Sequence, residues 1–392
     1  FRSKDADNVL IAVELIDASE ATQDDISVLL SSSVLSLLVN TWDVRVWNAL
    51  APLLLSYPNA KREFTELANK RVQHQSSYGF IAGFYGEATK PLALLGLKII
   101  DDTSRELGYL TSLSDAGAES LSKHEGDLDL YGLTSLSDAA AESLSKHEGD
   151  LSLSGLKSLS DDAAESLSKH EGSLNLDDLT ELSDGPGHIS LASSLSKHEG
   201  DLSLSGLTSL SDAAAESLSK HEGDLSLYGL ISLSDAAAES LSKHEGEINL
   251  RGLTSLSYGP GHIALAERLS KQERLLLDGL TSLSDAAAES LSNHKGHLCL
   301  SGLTSLSDAA AESLSKHEGT LNLSGLTELS DAAAESLRKH EGTLDVDGLT
   351  SLSDAAAKSL SKRETKFTSW HISLDNLPAS AAQILRDAGH GL

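Results

Sequence analysis

Residues Leu202 to Asp224 read LSLSGLTSLSDAAAESLSKHEGD, and nearly the same 23 residues begin again at Leu128, Leu151, Leu225, Leu298 and Leu321. A fixed period of this size marks a tandem array, in which each copy is one small unit that is stable only when stacked on its neighbours. Within the copy, Leu202 and Leu204 are two residues apart, so both point to one side of a short strand while Ser203 and Ser205 point to the other. Leu207 and Leu210 then turn the chain inward. Ala213, Ala214, Ala215 and Leu218 follow as a short helix of strong formers, with Ser211 or Asp212 as its cap. Glu216 lies too far from that cap for a capping box, but it stands in the favourable i,i+4 order with Lys220. Gly223 is expected in the left-handed position that ends a helix. Strand, turn, helix and glycine stop make one coil of an α/β solenoid.

Counted from the first leucine of LxLxGL, coils begin at Leu128, Leu151, Leu174, Leu202, Leu225, Ile248, Leu275, Leu298, Leu321, Leu344 and Ile372. A degenerate coil from about Arg105 keeps Leu107, Leu110 and Leu113 in register. Strands stacked at about 4.8 Å predict one parallel sheet some ~50 Å long, on a side made concave by the greater width of the helices. The last coil, ISLDNLPASAAQILRDAGH, puts Pro378, Gln383 and Arg386 where repeat leucines stood. From about residue 372 it reads as a cap with a polar outer face, against which Trp370 is expected to pack.

On these residues the array resembles the leucine-rich repeat family, in a very regular bacterial-type variant. LxLxGLxxLS, repeated ten times over about residues 105–392, carries the resemblance, and a period of 23 falls within the family's range. The resemblance implies short parallel strands, short helices, and protein binding through the concave sheet face and the rim loops. The family's asparagine after the strand is missing, with Gly206 and Leu207 in that region, so the asparagine ladder lacks its residue. A pentapeptide-repeat β-helix is the competing reading of DLSLSG, and the period and the AAAESLSKH helix argue against it.

Upstream of the array, residues 1–75 show apolar positions three or four apart, the spacing of helices. DNVLIAVELID and WDVRVWNALAPLLLSYP resemble HEAT-type helical hairpins, and Trp42 and Trp47 read as core between them. Residues 76–104 form a junction in which SSYGFIAGFYGEATKP matches neither GxGxxG nor a P-loop. Leu95 to Ile100 is expected as the first strand-like element.

The 392 residues carry a net charge of −29, yet the first 100 hold 9 Lys+Arg against 11 Asp+Glu, so nearly all of the excess acid belongs to the array. A polyanion repels phosphate backbones and anionic membranes, which leaves proteins, basic ones above all, and cations as partners. The sequence offers no run of 18 uncharged apolar residues to span a bilayer. Cys299, the one cysteine, excludes an internal disulfide and any cysteine-based zinc cluster. The chain begins at Phe1 and contains no methionine, so a lost leader or a catalytic domain ahead of it stays open. A cytoplasmic location is favoured, with a secreted or surface one also open.

Chemistry that needs a unique constellation is hard to build from copies. No GxSxG elbow, HExxH motif or paired carboxylates confined to one coil stand out, so no catalytic residue, metal ligand or cofactor is assigned. The KHEG turn repeats its histidine at 124, 147, 170, 198, 221, 244, 294, 317 and 340, and Lys and His there are expected to complement the negative end of each helix dipole. A cation-binding surface protein using those rows of histidines and carboxylates is the alternative function. Two coils carry insertions, LSDGPGHISLA and LSYGPGHIALA, expected as loops on one rim because Gly-Pro-Gly forces a turn. Binding residues are sought where copies differ. Tyr131, Tyr228 and Arg251 are the outward strand positions with the side chains that anchor interfaces. Asn249 and Asp278 lie on the same face, and His188 and His262 lie in the two insertions.

Overall fold

A computed structural model describes residues 107–108, 110–363 and 370–390. The helical head expected over 1–75, with Trp42 and Trp47, and the junction at 76–104 therefore lie outside the described residues, as does the side chain of Trp370. Over the described residues the chain is an α/β solenoid of short parallel strands alternating with short helices. It divides into two compact units, one running through Leu179 with Gly185–Leu191, the other comprising Thr180–Asp184 and Ala192–Leu392.

In the first unit, strands Leu128–Asp129, Leu151–Ser152 and Leu174–Asn175 pair in parallel, with Leu128 opposite Leu151 and Leu151 opposite Leu174. The register is the 23-residue period itself. Each coil buries the same set: Leu128, Leu130, Leu133, Ala140, Ala141 and Leu144 are at most 1% exposed. Two faces of leucine and one of alanine thus close the coil, and alanine lets helices Asp138–Leu144 and Asp161–Leu167 approach closely.

The second unit repeats this with one interruption of the expected sheet. Strands Leu202–Ser203, Leu225–Ser226 and Ile248–Asn249 form one sheet, and Leu275–Leu276, His297–Cys299, Thr320–Asn322, Leu344–Asp345 and Trp370–His371 another. Shorter parallel pairs join Glu181–Leu182 to Ser209–Leu210, Ser255–Leu256 to Ser282–Leu283, and Glu328–Leu329 to Ser351–Leu352. These form where the sequence suggested only an inward turn. In the last coil Trp370, not Ile372, stands opposite Leu344, so the strand begins two residues earlier than the leucine pattern suggested. Helix Ala379–Asp387 closes the stack with Ala381, Ala382 and Leu385 buried and Gln383 and Arg386 exposed.

Where Ile248 and Leu275 fail to pair, a side chain fills the gap. Gln272 occupies the position that other coils give to histidine. Its Oε1 accepts from the Ile248 N–H at 3.2 Å, and its Nε2 donates to the Ile248 carbonyl at 3.1 Å. A buried primary amide can supply both a donor and an acceptor, so the backbone groups of Ile248 on the open edge of the sheet stay satisfied.

The helix ends explain how coils lock together. Ser137 caps its own helix by accepting from the Ala140 N–H, and its hydroxyl donates to Asp115 of the preceding coil at 2.5 Å. The same double role recurs at Ser160 with Asp138 and, in the second unit, at Ser234 with Asp212, Ser307 with Asp285, Ser330 with Asp308 and Ser353 with Asp331. Serine, not aspartate, is therefore the cap, and the aspartate serves the next coil. Threonines provide a second ladder, as in Thr254 Oγ1 donating to the Ile231 carbonyl at 2.8 Å.

Candidate functional site

The face formed by outward strand positions is polar and small-residued over most of its length, and departs from that pattern between Leu225 and Leu298. Tyr228 is 50% exposed and Ile231 51%. One coil on, Asn249 is exposed and its Oδ1 accepts from the Arg251 N–H at 3.2 Å, which fixes the backbone that carries Arg251. The Arg251 guanidinium pairs with Asp278 of the following coil. Leu276, 42% exposed, stands in register with Cys299. Tyr258, at 66% the most exposed large hydrophobic among the described residues, donates its hydroxyl proton to Asp285 at 3.1 Å. Three successive coils thus present two tyrosines, two aliphatic side chains and an arginine.

Of the residues singled out from sequence, Tyr228, Asn249, Arg251 and Asp278 come together on this face of the second unit. Tyr131 belongs to the first unit, where its half-exposed ring lies over Gly108, leaving no room for a side chain there. Ile231, Leu276 and Tyr258 were missed as binding candidates. Comparing copies could have found them: Ile231 replaces the threonine of GLTSLS, and Tyr258 replaces the aspartate of LSDGPG.

The two GPGH segments correct the expectation of rim loops. Each opens a longer helix, Pro186–Leu195 and Pro260–Leu269, because proline suits the first helical turn. With no serine cap available, the preceding coil supplies one: Asp161 Oδ1 accepts from the N–H groups of Gly187 and His188, and Asp235 Oδ1 from those of Gly261 and His262. Both histidines are 6% exposed. Their Nε2 atoms lie 3.2 Å from the carbonyls of Leu159 and Leu233, and His262 Nδ1 lies 2.5 Å from Ser257 Oγ. Burial and these bonds place them in the packing between coils.

The KHEG histidines also differ from expectation. Most of them do not sit in solvent: His147, His221, His244, His294, His317 and His340 are each at most 2% exposed and His170 4%, while His124 and His198 are half-buried. The next coil covers each one, and a stack forms: the rings of His294 and His317 lie 6.0 Å apart and those of His317 and His340 5.9 Å apart, nearly coplanar in orientation. Burial lowers the pKa of His147, His244 and His317, and takes that of His340 down to about 4, with the Arg363 guanidinium adding to the effect. These rings are neutral at pH 7.

Cys299 is buried, and burial followed by the neighbouring Asp278 raises its thiol pKa. Among the described residues no group of three His, Cys, Asp or Glu side chains is placed to hold a metal ion, and no helix is long and apolar enough to cross a membrane. What this geometry defines is a repeat solenoid with one chemically distinct stretch on its strand face. Comparison with protein-family models and with curated proteins returns no match.

Proposed function

We propose that the chain is a leucine-rich-repeat scaffold without catalytic activity, which holds a protein partner against its strand face around Tyr228, Ile231, Arg251 and Leu276. The observation that carries this reading is the concentration of exposed aromatic and aliphatic side chains in three neighbouring coils of an otherwise small and polar face. Tyrosine and arginine surrounded by small polar residues have the composition of an interface hot spot with its rim. The array around them is strongly acidic, and the cation on this face, Arg251, is paired with Asp278. A partner with a basic rim and an apolar centre suits both features.

The test is site-specific crosslinking in the source cells. A photoreactive residue at position 228 should trap a defined protein that the same residue at Ser324, farther along the same column, does not trap. Equal labelling from both positions would remove the assignment of this face.

A further inference from the structure

We propose that the buried histidine columns make the array an acid-responsive device, in which protons taken up as the medium turns acid part the coils along the edge where the helices end. The geometry is specific. His294, His317 and His340 form one continuous stack, with centroids 6.0 and 5.9 Å apart and planes within 6°. His221 with His244, and His147 with His170, repeat it at 6.3 Å.

Backbone carbonyls close in on the columns. His221 Nδ1 lies 3.3 Å from the Ser196 carbonyl, His294 Nδ1 3.2 Å from that of Ser270, and His317 Nε2 3.1 Å from that of Gly296. The other nitrogen of each of these rings, and Nδ1 of His340, is buried without a hydrogen-bond partner. Protonation would turn that nitrogen into a buried, unpaired donor carrying charge, about 6 Å from the next ring.

The ionisable groups that face the columns do not relieve this. His340 faces His317 and Arg363, whose guanidinium is itself buried on the carbonyls of Leu337 and Gly342. His244 faces His221 and Arg268, which is bonded to the carbonyls of His244, Glu245 and Gly246. His317 faces His294, and His147 faces His124 with Asp127 as the nearby acid. Because burial sets the folded pKa of His147, His244, His317 and His340 below that of a free imidazole, the unfolded chain binds more protons between about pH 6.5 and the folded value. The stabilisation is complete above that window and falls as pH drops through it, ending near pH 4 for His340.

The chain contains its own control, since Gln272 already fills a histidine position with a group that cannot titrate. Urea midpoints of the full chain and of the H294Q/H317Q/H340Q variant, each measured at pH 7.5 and pH 5.0, test the device. The wild-type midpoint should fall at least twice as far as the variant's, and equal falls would overturn the proposal. Should the variant not fold, nitrogen NMR of the wild-type imidazoles at pH 5.5 decides. Neutral rings in the folded chain agree with the proposal, and imidazolium signals from folded protein overturn it.

Discussion

A β-carbon added to Gly223 would lie 1.9 Å from the carbonyl oxygen of Gly200, one coil earlier, and 3.0 Å from Nε2 of His221. Gly223 does not adopt the left-handed backbone expected of a helix stop; among the glycines of the described residues only Gly126, Gly200 and Gly389 have positive φ. Its lack of a side chain lets one KHEG turn sit directly on the next. Gly223→Ala should therefore destabilise by overpacking, by about 1–3 kcal/mol. Gly200→Ala meets open space but a φ of 85°, and should cost about 1 kcal/mol. Urea titrations of the two variants check the order.

Leu227 is 0% exposed and its neighbour Ser226 half-buried on the opposite side of the strand. Leu227→Asp should unfold the adjacent coils, since burying an unpaired carboxylate costs several kcal/mol. Ser226→Asp should leave the circular-dichroism spectrum and thermal midpoint nearly unchanged. Equal damage from both would mean that the strand register is wrong by one residue.

At the sheet interruption, Gln272→Leu keeps bulk but leaves the N–H and C=O of Ile248 without their side-chain partner. Each unpartnered buried group costs about 1–3 kcal/mol. Amide hydrogen exchange should accelerate most at Ile248, and a uniform change over the whole array would contradict the local role given to Gln272.

The thiol of Cys299 should resist iodoacetamide at pH 8 in the folded protein and react rapidly once the chain is unfolded in urea. Burial both shields the sulfur and raises its pKa, so little thiolate forms. Fast alkylation of the native protein would argue for an accessible strand face at this coil.

Much of the fold was legible in the sequence because repeats state their own register. Leu202, Leu225 and Ile248 pair as a spacing of 23 requires, and the strand leucines read as inward are buried, whereas Leu136, Leu159, Leu233, Leu283 and Leu306, at the later inward turn, are only half-buried. The errors share one cause. His221 and Gly223 were assigned by rules for a single helix end, which concern dipoles and left-handed caps, whereas in a stack that end is covered by the next coil. His188 and His262 were misplaced likewise, because Gly-Pro-Gly reads as a turn when no neighbouring aspartate is in view to cap a helix beginning there. On the candidate face, Tyr228 and Arg251 could be found by comparing copies at strand positions. Tyr258 lies at the corner after the strand, and only a comparison of the two insertions, LSDGPG against LSYGPG, brings it out.

The side-chain ladders between coils share an orientation. Ser234 gives its proton to Asp212, Thr254 to Ile231, and Arg363 to Leu337, in each case from the later coil to the earlier. The strand ladder runs the other way, since the N–H groups of Leu202 and Leu225 donate to the carbonyls of Asp224 and Glu247 one coil on. The end of each coil is therefore a template of both kinds, with acceptors along the helix edge and donors along the strand, and the chain can lengthen on it one turn at a time as synthesis proceeds.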